Sequence, residues 1–152
     1  MSTNLQIEIL PLHYKDASKL APLLAAYTQA LKRGAPRQPD IFYAESLLQD
    51  RAAKFLGAFL GEALIGFILF YDLPDPVTGQ RAGQADHIYV HHAHTGKGIA
   101  RAMVDVLADQ GEKRGWQKLT LNSPRSSETG MSLFQSIAAP ADQMSFELKF
   151  QS

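Results

Sequence analysis

The chain has 152 residues, of which 45% are hydrophobic, with 15 basic and 15 acidic side chains and no cysteine. This length and apolar content suit one domain with its own core, and we expect residues 1–152 to form it. A formal net charge of zero argues against a general nucleic-acid or membrane-surface binder, in which basic residues concentrate on one face. The lack of cysteine excludes a disulfide framework and a thiol nucleophile.

The N-terminal segment and the hydropathy of the chain bear on its location. Residues 1–18 contain neither a basic region followed by a long apolar run nor a small-residue cleavage site. No segment reaches the roughly 18 apolar residues that a membrane span needs. We therefore expect a cytoplasmic protein.

The first half of the chain predicts a strand, two helices and a β-hairpin, in that order. The first helix is marked by apolar residues from Leu20 to Leu31, has Pro22 in its first turn, and is closed by Lys32, Arg33 and Gly34. The hairpin turns at Gly61 and Glu62. The predicted elements are a strand at 5–10, helices at 20–34 and 41–50, and strands at 54–60 and 63–73, followed by a turn-rich connection at 74–84.

The junction from Asp86 to Gln110 joins a strand, a glycine-rich turn and a helix without a gap. Ile88 and Val90 alternate with polar and aromatic neighbours, which predicts a strand over residues 84–91. An amphipathic helix then begins at Gly98, since apolar residues recur at i, i+4, i+7 and i+8. These residues are Ile99, Met103, Val106 and Leu107, and the helix ends with Lys113 and Arg114 before Gly115.

The turn between them, residues 95–100, has two glycines and no acidic side chain. Several backbone N–H groups can therefore point outward at the positive end of a helix, which is a phosphate-binding geometry. A simpler interpretation is that the glycines only permit a tight connection. A P-loop does not fit, because Gly96, Lys97 and Gly98 lack its spacing and its magnesium-binding hydroxyl, and a dinucleotide fingerprint does not fit, because Arg101 replaces its third glycine.

Four histidines lie close together in the sequence at this junction: His87, His91, His92 and His94. Imidazole suits zinc or nickel. However, the chain has no cysteine, and no convincing carboxylate partner lies nearby. We therefore expect no metal, and we interpret the histidines as loop and strand residues beside a pocket.

The remaining chain predicts a strand at 117–122, a helix at 128–137 and an alternating terminal strand, Met144 to Phe150. The whole order is β, α, α, β, β, β, α, β, α, β, which is typical of a mixed α/β sheet flanked by helices.

This order, together with the strand, turn and helix at the junction, resembles the GCN5-related N-acetyltransferases (GNAT). The acetyl-CoA loop of that family reads Arg or Gln, two variable residues, Gly, one variable residue, then Gly or Ala. Gly98 and Ala100 occupy the last two fixed positions here, and Thr95 stands at the first. The resemblance is greatest to the acetyltransferases of small amines and diamines. It implies a GNAT-like fold, with a central mixed sheet splayed at the acetyl-CoA site.

The resemblance also implies a set of cofactor-binding residues for acetyl-CoA as co-substrate. The backbone of the strand before the loop would pair with the pantetheine arm as an added strand does. The loop would hold the pyrophosphate, and Ser127 stands where the family often has Asn. The set is Ile88, Tyr89, Val90, Thr95, Gly96, Lys97, Gly98, Ile99, Ala100, Arg101, Ser127 and Phe134.

By the same resemblance, a primary amine of a small molecule or peptide attacks the thioester directly, and a general base removes its proton. Asp86 is the first choice for this base, because some members carry a glutamate at the matching place, and His87 is the second. Histidine is better tuned to neutral pH, and Asp86 has the simpler interpretation of a strand-end carboxylate. Phe134 replaces the tyrosine that often serves as general acid, which leaves solvent, Ser132 or Tyr89 to protonate the thiolate.

The acceptor would enter between the first two helices and the loop after Leu73. An aromatic and acidic pocket could form there, although the simpler interpretation is that the aromatic residues are core and the aspartates are solvated loop residues. They are Tyr27, Phe42, Tyr43, Tyr71, Asp72 and Asp75. By family analogy we expect a homodimer. The alternative functions are an acyl-CoA-binding regulator with little or no turnover, and an unrelated interaction or metal module.

Overall fold

A computed structural model of the chain describes residues 6–32 and 38–151. Five strands form one sheet in the order β1-β2-β3-β4-β5. Neighbouring strands are antiparallel except β4 and β5, which are parallel. The strands are β1 (Ile7–Pro11), β2 (Lys54–Leu60), β3 (Ala63–Pro74), β4 (Arg81–Val90) and β5 (Trp116–Leu121).

Helices cover both faces of this sheet. They are α1 (Ala17–Lys32), α2 (Ile41–Gln49), α3 (Ile99–Lys113) and α4 (Glu128–Ile137), and short 3-10 turns lie at Tyr14–Asp16 and His92–His94. None of the helices in residues 6–32 and 38–151 is long and apolar enough to cross a membrane.

The core lies in two layers, one on each side of the sheet. Leu20 and Tyr27 of α1 pack on one face with Phe67 of β3, and Met103 and Leu107 of α3 pack on the other. Seven consecutive residues of β3, 64–70, are buried. An unbroken buried run of this kind is typical of a central strand covered on both faces.

The predicted fold class, a mixed sheet flanked by helices, is confirmed. So is its splay: the pairing of β4 with β5 runs only from Arg81↔Trp116 to Ala85↔Leu121, although β4 continues to Val90. The two strands therefore separate beyond Ala85.

Several predicted boundaries need correction. The strand predicted at 84–91 spans Arg81–Val90, since pairing with β3 extends it into the turn-rich connection. Pro22 lies inside α1, beyond the first turn. In α3 it is Val104 rather than Val106 that is fully buried. The predicted helix end at Arg33 and Gly34, and Leu5 of the first strand, lie outside the described residues.

The predicted terminal strand at 144–150 is wrong for this structure. The residues from Ala138 to Gln151 form no helix or strand, and all of them are exposed. Alternation alone produces a strand only when an edge is available to pair with, and none of the five described strands pairs with this segment.

Candidate functional site

A β-bulge in β4 shapes the centre of the site. Leu69 of β3 is opposite His87 and Phe70 is opposite Ala85, so Asp86 has no partner. The extra residue shifts the alternation of the strand, as bulges do. As a result Ala85 and Ile88 both lie in the core on the α3 side, whereas His87 contacts α1.

Asp86 lies where β4 and β5 separate. Its carboxylate accepts hydrogen bonds from Nε2 of Gln84 at 3.1 and 3.2 Å and from Nδ2 of Asn122 at 2.9 Å. Asn122 follows β5, and its backbone N–H donates to the carbonyl of Ala85 at 2.8 Å. One amide from β4 and one from the residue that follows β5 therefore hold the carboxylate at the point of separation.

His87 is half-buried beside α1. Its Nδ1 lies 2.8 Å from the hydroxyl of Tyr27. Burial lowers the pKa of the His87 imidazole below its usual range, and the charge of Asp86 opposes this shift. Burial also raises the pKa of Tyr27 to about 12. At neutral pH the pair is thus a neutral imidazole and a protonated phenol.

Past the bulge, the edge of β4 that faces β5 carries no described strand. Ile88 and Val90 bury their side chains on the α3 side, and Tyr89 packs in the α1 layer beside Tyr27, with ring centroids 5.4 Å apart. With the side chains held in this way, the backbone groups on the outer edge of residues 88–90 are left to bond an extended ligand.

The glycine loop turns the chain from β4 into α3. Gly96 and Gly98 have φ of 79° and 76°, in the left-handed region where only glycine is unstrained. Gly98 is the N-cap of α3, so the N–H groups of Ile99, Ala100 and Arg101 have no partner within the helix. Ile99 is buried and anchors the first turn.

The side chains of the loop are less suited to ligand binding than its backbone N–H groups. Lys97 is exposed. Nε of Arg101 donates to Asp105 at 3.1 Å in an exposed ion pair, and the Thr95 hydroxyl donates to the carbonyl of His92 at 3.1 Å. Anion binding at this loop would therefore depend mainly on the backbone and the helix dipole.

A cleft of about 300 Å³ brings several predicted residues together. It lies between α1, the end of β4, the glycine loop and the start of α4. Ser127 on its wall is buried and is the N-cap of α4, where its hydroxyl accepts a bond from the Gly130 N–H at 3.3 Å. The site residues on its wall are Tyr27, Tyr89, Val90, Thr95 and Ser127.

Phe134 lies elsewhere. It contacts the α3-side core and lines a second cavity of about 530 Å³ between β5 and the end of α4. Phe134 is seven residues from Ser127, about two turns along α4, so the two side chains serve different cavities.

The histidines after β4 form a small stack. The rings of His91 and His92 lie 4.3 Å apart, and those of His91 and His94 lie 6.1 Å apart. Partial burial lowers the pKa of His91, and its two neighbours add to this. In the described part of the chain, no group of three or more His, Cys, Asp or Glu is placed to hold a metal ion.

The aromatic and acidic acceptor pocket does not assemble as expected. Asp72 accepts bonds from Arg81 at 2.8 Å and Trp116 at 3.0 Å; burial opposes ionisation, but these partners outweigh it and lower the pKa of Asp72. Asp75 bonds Gln117 and the Val77 N–H. Both carboxylates therefore already have hydrogen-bond partners, since they lie near the connection between β3 and β4.

Other acidic groups lie near Tyr71 instead. Burial first, and then the charges of Asp86 and Asp50, raise the pKa of Tyr71. Phe42 on α2 is 84% exposed.

Three contacts of the site were not predictable from the sequence, because nothing local in it marks contacts between distant segments. Gln84 and Asn122 are partners of Asp86, and Tyr27 is a partner of His87.

Comparison with known proteins connects this geometry to a family. The model of the Acetyltransferase (GNAT) family matches residues 20–136. A crystal structure named ribosomal-protein-alanine N-acetyltransferase, from Brucella melitensis biovar Abortus 2308, is 59% identical, with a TM-score of 0.89 over 95% of this chain and 99% of that one.

More distant matches agree in fold or in part of the sequence. An aminoglycoside acetyltransferase from an uncultured soil sample, in complex with sisomicin, is 15% identical with a TM-score of 0.74 over 96% of each chain, a likeness of fold alone. Human N-acetyltransferase 8 is 26% identical over 67% of this chain and 45% of its own length. The chain thus matches just under half of that relative.

Proposed function

Because the chain belongs to the acetyltransferase (GNAT) family, whose members use acetyl-CoA as co-substrate, we propose that it transfers the acetyl group of acetyl-CoA to a primary amine by direct attack. The observation that carries the proposal is the gap between β4 and β5, which ends at a left-handed glycine N-cap. An open strand edge and a helix N-terminus are complementary to a pantetheine arm and a pyrophosphate.

We assign the pantetheine arm to the backbone edge of Ile88, Tyr89 and Val90, and to the wall at Ser127. The pyrophosphate is assigned to the loop from Thr95 to Arg101, where the N–H groups of Gly96, Gly98, Ile99 and Ala100 can donate and Lys97 and Arg101 add positive charge. The cleft at the end of β4 supports this assignment, because it borders both parts. The second cavity and Phe134, which lines it, are not part of this assignment.

For the reaction, the lone pair of the amine attacks the thioester carbonyl, the nitrogen loses a proton, and the C–S bond breaks to release the CoA thiolate. We assign the base to His87, with Asp86 beside it. If His87 Nδ1–H donates to Tyr27, Nε2 carries the lone pair that accepts the proton. A histidine held neutral at pH 7 suits this role.

The thiolate needs a proton, and Tyr89 is the best placed of the earlier candidates. Burial raises its pKa, so its phenol is protonated at neutral pH, and it lies on the wall of the cleft. Ser132 is exposed on α4 and is not on that wall. The tetrahedral oxyanion would be held by a backbone N–H on the open edge of β4.

We propose a peptide α-amine as the acceptor, and an N-terminal alanine as its first residue. The support is the name of the protein that is 59% identical, which specifies a ribosomal-protein alanine. A small polyamine remains the second candidate, in keeping with the similarity to diamine acetyltransferases. The comparisons lend no support to an acyl-CoA-binding regulator without turnover.

The test is acetyl transfer with a matched acceptor pair. A peptide that begins with alanine, the same peptide with its α-amine blocked, and spermidine are each incubated with acetyl-CoA, and thiol release and peptide mass are followed. We expect the mass to increase by one acetyl group at the α-amine of the free peptide only. Transfer to spermidine alone would overturn the acceptor, and no turnover with any amine despite binding of acetyl-CoA would favour the regulator.

Two proposals concern the protein as a whole. A homodimer and a cytoplasmic location both fit an acetyltransferase that draws on soluble acetyl-CoA. Sedimentation at several concentrations tests the dimer, and fractionation of cells that express the protein tests the location.

A further inference from the structure

Three histidines lie together between the end of β4 and the glycine loop, and no step of the proposed reaction uses them. His91, His92 and His94 belong to the short turn that follows β4. The rings of His91 and His92 are 4.3 Å apart and inclined by 30°, and the ring of His94 is 6.1 Å from that of His91. Histidine is the side chain whose charge ordinarily changes between pH 5 and 8. Positive charge can therefore collect at this histidine cluster as the pH falls.

Backbone bonds hold the histidine cluster beside the cleft at the end of β4. The N–H of His94 donates to the carbonyl of His91 at 2.9 Å, and the N–H of Ala93 donates to Nδ1 of His91 at 3.2 Å. The hydroxyl of Thr95 joins the cluster to the glycine loop, since it donates to the carbonyl of His92 at 3.1 Å. His92 is exposed and lines the cleft together with Thr95. The cluster thus borders both the cleft and the loop.

The loop itself brings little positive charge to an anion. Thr95 is uncharged, and Arg101 shares its charge with Asp105, 3.1 Å away. Lys97 is exposed. A pyrophosphate held by the backbone N–H groups of the loop would therefore gain from further cationic donors, because hydrogen bonds between charged groups are the stronger ones. The histidine cluster directly precedes the loop and can supply them.

The other titratable groups around the cluster come from the elements that border the cleft. Tyr27 of α1 and Tyr89 of β4 line it, and their phenols keep their protons at neutral pH because burial raises the pKa of each. Glu128 of α4 lines the same cleft and is negative. Its carboxylate is exposed, so solvent screens its effect on the cluster. The charge that changes between pH 5 and 8 is thus mainly that of the histidines.

We propose that His92 and His94, grouped around a neutral His91, form a proton-dependent site for the pyrophosphate of acetyl-CoA, so that the cofactor binds more tightly as the pH falls. The inference rests on the proposed function, because it requires acetyl-CoA in the cleft and loop. Each of the two imidazoles takes up a proton and donates an N–H to a phosphate oxygen. His91 stays neutral, since its Nδ1 accepts the Ala93 N–H, which a protonated ring cannot do. Burial and the charges of its two neighbours also lower the pKa of His91.

Proton uptake and cofactor binding then favour each other. Two like charges close together oppose their own formation, whereas a bound anion favours it. Binding of the pyrophosphate should therefore draw protons from solution. By the same linkage, affinity should rise as the pH falls from about 7.5 to about 5.5, the range in which imidazole titrates.

The first experiment measures the Kd of the full chain for 3′-dephospho-acetyl-CoA by calorimetry across this pH range. This probe keeps the pyrophosphate and lacks the 3′-phosphate, whose own titration would mix with that of the histidines. His92→Gln combined with His94→Gln removes both titrating rings. His13→Gln, at an exposed histidine before α1, is the control for loss of an imidazole elsewhere. His87 is unchanged in every protein, so its contribution is common to all of them.

We expect the wild type and His13→Gln to bind about tenfold more tightly at about pH 5.5 than at about pH 7.5, the effect of one hydrogen bond to a charged group. The double variant should lose most of this change. An equal pH dependence in the double variant, or a wild-type affinity that does not rise on acidification, overturns the inference and leaves the proposed function standing. A wild type that binds the cofactor at no pH overturns the proposed function itself, and the inference with it.

The second experiment counts the protons and does not depend on the folding of the double variant. The wild type is titrated with the same probe at about pH 6.5 in two buffers of different ionisation enthalpy, and the difference in heat gives the protons exchanged on binding. We expect net uptake, since the charge of the probe is constant in this range. His92→Gln alone, at an exposed position, should reduce the uptake, whereas His13→Gln should not. Proton release, no exchange, or equal uptake in His92→Gln overturns the inference.

Discussion

At the scale of single residues, the central feature is the contact between Tyr27 and His87, two residues that are 60 positions apart and meet at 2.8 Å. The tautomer of His87 decides whether Nε2 can act as a base: it can do so only when Nδ1 carries the proton and donates it to the phenol oxygen of Tyr27. Tyr27 is therefore a positioning residue in our proposal, and His87 is the group that touches the amine.

His87→Ala is expected to lower kcat by at least about 100-fold, the lower limit for loss of a general base. Tyr27→Phe is expected to lower it roughly 2- to 10-fold, the value of one net hydrogen bond. The measurement is kcat against pH. The lowered pKa of His87 means that the active, neutral form persists below pH 6.5, so wild-type activity falls only on the acid side of that value. This acid limb should disappear in His87→Ala.

The matched control for Tyr27→Phe is Tyr14→Phe, an identical change at an exposed residue before α1, which should leave the profile unaltered. A wild-type profile without an acid limb, or an unchanged kcat in His87→Ala, would remove His87 from the role of base.

The charge of Asp86 acts on the His87 imidazole. This negative charge opposes the burial that lowers the pKa of His87, so Asp86→Asn should move the acid limb to still lower pH. We also expect kcat to fall by about 100-fold if the carboxylate takes part in proton transfer, with acetyl-CoA binding unchanged. Asp109→Asn, an exposed carboxylate on α3, is the control. A reduced kcat with an unmoved limb would mean that Asp86 only supports the strand.

At the scale of elements, the strand, loop and helix from β4 to α3 were predictable because each part carries a local signal. Period-two alternation, two glycines and an amphipathic repeat follow one another within residues 84–113. The bulge at Asp86 was not predictable, since it exists only through pairing with β3. The same reason explains Asp72, whose partners Arg81 and Trp116 come from two other strands.

The loop gives a prediction at this scale. Gly98→Trp should abolish acetyl-CoA binding, because the side chain would occupy open space at the helix N-terminus and an L-residue is strained at φ 76°. The measurement is thermal shift with acetyl-CoA. At about 100 times its Kd, the ligand stabilises the wild type by about 2.7 kcal/mol.

The control for this substitution shares its strain but not its position. Gly79→Trp lies in the connection between β3 and β4, has φ 73° and also points into open space. It should lower the basal melting temperature while keeping the full shift with acetyl-CoA. Equal loss of binding in both variants would show that strain, and not a block of the loop, causes the effect.

At the scale of the whole molecule, the sequence indicated the family through the resemblance of residues 86–110 and of the element order, and it predicted the layered sheet through periodicity and the order of elements along the chain. The alternation in residues 144–150 predicted a strand that the structure does not contain. What it could not specify was the pairing partner of that segment, since any free edge of the right length, in this chain or another, satisfies the pattern equally.

The closed end of the split sheet depends on Trp116. Its indole fills the space left by Gly83 of β4 and Gly111 of α3, where an added Cβ would overlap the ring in both cases. Its Nε1 donates to Asp72 of β3 at 3.0 Å. One side chain thus contacts β3, β4 and α3 from its position on β5, at the end of the sheet opposite the gap.

Gly111→Ala is therefore expected to destabilise the protein by about 1–3 kcal/mol, the usual effect of overpacking a core, even though alanine is the better helix former. Urea unfolding gives the change in the free energy of unfolding. Because the indole causes the overlap, Gly111→Ala should be less destabilising in a Trp116→Leu background. The double variant should therefore lose less free energy of unfolding than the sum of the two single variants. Additive losses would show that the two residues act separately, and that the closed end of the sheet depends on other contacts.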